Sequence, residues 1–202
     1  MGHREQLLAA ARRLLEDKGY AHITARDLVA ASETNLASIG YHFGSKAGLL
    51  NEAIGEICRE WAAQLTSVAL GAEVQSPVER AHVTWSAFLG TLDEKRALLV
   101  SFLEAFAQTE RTPALREQLA GHYRQLRSHV AGLVAAELAG DPDAVGPDDP
   151  RAVAVASFVI AVCDGLAFQW LLDPESAPSG DELLAGLGMI WATSVRQAQG
   201  QA

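Results

Sequence analysis

Residues 24–50, TARDLVAASETNLASIGYHFGSKAGLL, decide how the rest of the chain is read. Thr24, with Asp27 three positions on, predicts a capping box and the start of a short helix that runs to about Ser32. Glu33-Thr34 form a turn, and Asn35 is a good N-cap for a second short helix through Phe43. Gly44-Ser45 break that helix, and Ser45 caps a longer one. Two short helices joined by a tight turn, closed by Tyr41-His42-Phe43 and Lys46, have the layout of a helix-turn-helix.

Upstream, Leu7, Leu8, Ala11, Leu14 and Leu15 make one helical stripe, and Gly19 ends that helix. Downstream, Leu50, Ile54, Ile57, Trp61, Leu65 and Val68 recur at three- and four-residue steps. This helix is long enough to leave the head and enter a second module. Further helices read as Val78–Leu92, Glu94–Gln108, Pro113–Leu138, Pro150–Leu172 and Asp181–Arg196, between linkers rich in Pro, Gly, Asp and Ser. The expected fold is all-α with about nine helices: a three-helix head over residues 1–50 and a helical ligand-binding and dimerisation domain over 51–202.

At 202 residues, 49 % of them apolar, the chain can bury a sizeable core. Its formal charge of −9 is unevenly spread. Residues 1–50 hold six Lys/Arg against five Asp/Glu; residues 51–202 hold ten against twenty. An acidic body leaves the head as the part that can approach DNA. Cys58 and Cys163 show no metal-ligand spacing and read as core thiols. No zinc site, other metal site or cofactor is expected. No signal peptide and no run of ~18 apolar residues is seen, so a soluble cytoplasmic protein with no membrane partner is expected. There is no G-x-S-x-G, H-E-x-x-H or phosphate-binding loop. His122 and His129 share a face but stand roughly 10 Å apart along a helix, and both read as solvated. No catalytic residue is assigned.

In the head, Leu28, Val29, Leu36, Ile39 and Phe43 are expected to pack inward. That leaves Asn35, Ala37, Ser38, Gly40, Tyr41 and His42 outward on the recognition helix. Asn35, Ala37 and Ser38, near its N-terminus, are the candidate base readers. Tyr41, His42 and Lys46 are candidates for phosphates, as are Arg26 and the helix N-termini at Thr24 and Ser45.

The string Tyr41-His42-Phe43-Gly44-Ser45-Lys46-Ala47-Gly48-Leu49-Leu50, with Gly19-Tyr20 and Thr24-Ala25-Arg26-Asp27-Leu28, resembles the signature of the TetR family of bacterial regulators. The specific match covers residues 4–54, and FVIAVCDGLAFQWLLDP (158–174) is similar to the penultimate helix of many members. The resemblance implies a DNA-binding head, a homodimer, and a C-terminal domain that binds a small-molecule inducer. There are departures. Gly40 stands where many members carry Tyr, and Glu33-Thr34-Asn35 stands where the turn often reads Gly-Val-Ser.

Val155, Phe158, Val159, Val162, Leu166 and Trp170 leave their helix apolar all round, so something must cover it. The last helix has a wide stripe of Leu183, Leu184, Leu187, Ile190, Trp191 and Val195, beside small residues Ala185, Gly186 and Gly188. Two such helices per subunit are expected to form a four-helix dimer interface. Candidate ligand contacts are Trp85, Phe88, Phe102, Glu104, Phe106, Tyr123, Asp164, Phe168 and Gln169. The rival readings are a helical interaction module whose head no longer binds DNA, and a helical enzyme.

Overall fold

A computed structural model describes residues 2–74, 76–137 and 145–199, with the side chains of 77, 137 and 190–199 left aside. Nine α-helices and no strand occur among the described residues. They are α1 (His3–Lys18), α2 (Ala25–Ser32), α3 (Leu36–Phe43), α4 (Lys46–Gly71), α5 (Pro77–Gly90), α6 (Leu92–Thr109), α7 (Pro113–Glu137), α8 (Pro150–Leu172) and α9 (Gly180–Gln199). The ends fall within a few residues of those read from the sequence, because caps and breakers set them locally. A 3-10 turn at Tyr20–His22, between α1 and α2, was not anticipated.

The chain divides into two compact units. One comprises residues 1–62 and 94–156, the other 63–93 and 157–202. In the first, Leu7, Leu8, Ala11 and Leu15 of α1 are buried together with Ile23, Leu28 and Ile39. Leu49, Leu50, Ile54 and Ile57 of α4 are buried as well. Each leucine or isoleucine withdrawn from water contributes about 1.5–3 kcal/mol, and this apolar packing rather than helix propensity holds helices as short as α2 and α3. A second cluster joins Ala131 of α7 to Ala152 and Ala156 of α8.

In the second unit α5 packs on α9. His82 of α5 lies 2.9 Å from Asp181. Gly180 sits so close to Ser86 that an added Cβ would stand 2.2 Å from its hydroxyl oxygen. Trp85, Phe88, Ile160, Leu166 and Trp170 are buried. Contrary to expectation, α8 is long and apolar enough, by length and composition alone, to cross a membrane. Cys58 and Cys163 are half-buried. Burial, assisted by the neighbouring Asp164 carboxylate, pushes the Cys163 thiol up to about 12, so it stays protonated and unreactive at neutral pH.

Candidate nucleic-acid interface

The head is built by local hydrogen bonds between residues three apart. Thr24 Oγ1 accepts from Asp27 N at 3.1 Å, while Thr24 N donates to Asp27 Oδ2 at 2.8 Å. This is the capping box read from the sequence. Lys18, at 2.7 Å, and Thr24 hold the Asp27 carboxyl well below the usual carboxylate range. α2 ends at Glu33, whose φ of 55° and ψ of 35° are left-handed. A side chain in that region costs roughly 1 kcal/mol relative to glycine. The structure thus gives a physical meaning to a glutamate at a turn position where a glycine is common.

Asn35 then caps α3: its Oδ1 accepts from Ser38 N at 3.0 Å. Gly44, at φ +72°, ends the helix. Ser45 Oγ accepts from Gly48 N at 2.9 Å to start α4. Gly48 lies against the end of α3, where an added Cβ would stand 2.3 Å from the Phe43 carbonyl oxygen. The string Phe43–Gly48 is therefore a packed corner that fixes the angle between α3 and α4.

Of the expected DNA contacts, Thr24, Arg26, Asn35, Ala37, Gly40, Tyr41 and Ser45 are exposed, and His42 and Lys46 are half-buried. Tyr41 is 85 % exposed, and its ring stands edge-on to His42 at 4.8 Å. An added Cβ on Gly40 would meet nothing, so the fold itself does not demand glycine there.

Two positions differ from the expected faces. Leu36, assigned to the core, is 56 % exposed, whereas Ser38, assigned to the outer face, is 8 % exposed. The Ser38 hydroxyl donates to Asn35 Oδ1 at 3.2 Å and lies 3.2 Å from His3 Nδ1. The rotation follows from Ile39, which is the deepest side chain of α3 and sets its phase. The cap consumes polar groups too. The Thr24 hydroxyl donates to Asp27 at 2.6 Å, and Lys46 Nζ donates to the Ile23 carbonyl at 2.7 Å, tying α4 to the segment before α2. Arg4 stacks over the Phe43 ring at 5.5 Å. Nothing in the spacing of Arg4 or His3 marked either as a neighbour of α3.

The candidate ligand residues scatter. Trp85 and Phe88 are buried, and Trp85 Nε1 is buried with no hydrogen-bond partner among the described residues. Asp164 is half-buried, while Phe168 and Gln169 are exposed. Those five belong to one unit; Phe102, Glu104, Phe106 and Tyr123 belong to the other. There, Phe102 contacts Tyr123 and Phe106, and Phe106 is 55 % exposed. Glu104 has a different partner from the one expected: its carboxylate accepts from Ala21 N at 2.9 Å, and Ser101 Oγ accepts from Tyr20 N at 3.3 Å. Helix α6 thereby clasps the 3-10 turn of the head. His122, expected in solvent, packs on α4 instead. Its Nδ1 lies 3.1 Å from Arg59, and an added Cβ on Gly55 would fall 2.3 Å from its ring.

The chain matches two family models in order. Residues 7–53 match the bacterial regulatory proteins of the tetR family, and residues 77–186 match the C-terminal domain of BetI-type transcriptional repressors. It is 27 % identical over 180 residues to the HTH-type transcriptional regulator BetI of Paraburkholderia phymatum, covering 88 % of this chain and 83 % of that one. A structural-genomics crystal structure from Rhodococcus sp. RHA1 superposes with a TM-score of 0.68 at 19 % identity, covering 91 % of this chain and 92 % of that one. The multidrug binding protein EbrR, complexed with proflavin, superposes with a TM-score of 0.62 at 25 % identity, covering 93 % and 99 %. The second model spans more than half of the chain and includes all of α8, which accounts for that helix's apolar character as part of a regulator domain. Together with the capped helix pair and the packed corner at Phe43–Gly48, these matches show that the chain belongs to the TetR family of non-enzymatic, DNA-binding transcriptional regulators.

Proposed function

We propose that this regulator is a cytoplasmic repressor that binds a palindromic operator as a homodimer and is released by a small-molecule inducer. The observation that carries the operator reading is the exposed outer face of α3, held rigid by caps at both ends. Residues 1–50 act as the DNA-binding head and 51–202 as the ligand-binding and dimerisation domain. Tyr41, His42, Arg26 and the N-termini of α2 and α4 hold phosphates.

Homodimerisation is supported by α8 and α9. Val155, Phe158, Phe168 and Leu172 leave an apolar stripe uncovered along α8, and Met189 on α9 is 73 % exposed. Gly186 and Gly188 have nothing within 4 Å of an added Cβ, so a second backbone can come close. Ile190, Trp191 and Val195, expected in the same interface, lie outside the described side chains.

Inducer binding is supported by the likeness to a protein crystallised with proflavin. The buried Trp85 donor, without a partner among the described residues, suits a polar atom of a ligand. A body conformation that shifts α6 pulls on Tyr20 and Ala21, and tilting α4 changes the distance between paired heads. Half-sites ~34 Å apart tolerate little change.

Selection of genomic fragments by the purified chain, with footprinting at two salt concentrations, tests this. A palindromic footprint that weakens steeply with salt, is lost on Tyr41→Ala, and reduces transcription when occupied is the expected result. No enriched site would support instead an interaction module whose head no longer binds DNA.

A further inference from the structure

The outer face of α3 is apolar where a base-reading helix is commonly polar. Leu36, Ala37, Gly40 and Tyr41 lie at i, i+1, i+4 and i+5, on one side of the helix. Leu36 is 56 % exposed and Tyr41 85 %; Ala37 and Gly40 are exposed as well. The polar candidates on the N-terminal turn are partly committed within the head. Asn35 Oδ1 accepts from the Ser38 amide and hydroxyl, and Ser38 itself is buried beside His3. Beside the exposed Asn35, what the first turn of α3 offers to a groove is a leucine and an alanine, with an open notch at Gly40 next to them.

We infer that Leu36 is a specificity-determining residue, and that it and Ala37 read thymine in the operator through its C5-methyl group. This rests on the DNA-binding reading of the head. In the major groove the guanine and adenine edges present N7 with O6 or N6, and cytosine presents its N4 amino group. All are polar groups. A leucine pressed on them strips water and returns no hydrogen bond, which disfavours those bases. Thymine alone carries a methyl group at that edge, so it is the base whose burial against Leu36 is favourable. The open space at Gly40 lets the helix sit deep enough for both side chains to touch.

The experiment uses the full chain and the site it selects from random duplex DNA at fixed salt. Each thymine is replaced singly by deoxyuridine, which removes the methyl and leaves the hydrogen-bonding edge intact. Binding is expected to weaken about four-fold at one or two thymines per half-site, the value of one buried carbon. The penalty at the thymine read by Leu36 is expected to vanish in Leu36→Ala, an exposed substitution by a better helix former, while any penalty at a thymine read by Ala37 and the salt slope stay the same. Uniform tolerance of deoxyuridine at a tightly bound site overturns the inference but leaves DNA binding intact. So does a penalty in Leu36→Ala that is unchanged at every thymine. Failure to select any site removes the DNA-binding reading, and this inference with it.

Discussion

Helices α3 and α8 both turn apolar side chains to the outside, yet they are held in opposite ways. α3 has eight residues and is pinned at each end: Asn35 caps it, Gly44 stops it, and Gly48 butts against its last carbonyl. α8 has 23 residues, and Val155, Phe158, Phe168 and Leu172 remain uncovered along it. In α3 exposure is small and set in register, so it can be read as chemistry. In α8 exposure runs the length of the helix, so it can only be read as a demand for cover. Polar groups at helix ends specify position, whereas a uniformly apolar surface specifies only burial.

The largest effect is expected at α8. Phe158→Glu places two charges in the proposed interface, one per subunit. Dimer affinity is expected to fall on the order of a hundred-fold or more. Sedimentation velocity reads this directly, and an unchanged dimer would move the interface away from α8. At the α3 corner, Gly48→Ala drives a Cβ into the Phe43 carbonyl. The clash exceeds the helix-propensity gain, and a loss of roughly 1–3 kcal/mol of stability is expected in denaturant unfolding. A neutral result would mean that the corner is less rigid than its packing implies.

The turn before α3 carries strain that can be relieved. Glu33→Gly relieves the left-handed strain and is expected to raise stability by about 1 kcal/mol. It also removes a negative charge beside the proposed DNA face, so operator affinity is expected to rise at low salt more than at high salt.

The smallest expected effect is a pH dependence. Burial against α4 lowers the pKa of His122; nearby Arg59 adds to this and Glu52 opposes it. Below pH 6.5 the unfolded chain takes up a proton that the folded chain refuses. Stability is therefore full above 6.5, and falls with pH until the folded ring also titrates. Comparing denaturation of the parent with His122→Gln at pH 7.5 and 5.5 isolates this share; equal pH slopes would remove His122 as the source.

Much of the head was legible because its signals are local. Thr24 with Asp27, Asn35 with Ser38 and Ser45 with Gly48 are pairs three residues apart, and such pairs form wherever the backbone turns into a helix. Helix ends and the family signature came from the same short-range information.

The phase of α3 was not local. An eight-residue helix with Leu36, Ile39 and Phe43 as apolar positions can bury more than one face. Packing against α1 and α2, in which Ile39 goes deepest, turned Leu36 out and Ser38 in. The partners of Glu104, Lys46 and His122 were also out of reach, because each lies 23 to 83 residues away. A polar side chain in an amphipathic helix carries no label for the distant atom it will meet. Sequence alone determined where the helices begin and end and that the head belongs to a DNA-binding family. Tertiary packing decided which faces remain exposed, because only the assembled core selects among rotations that the local hydrogen bonds leave equal.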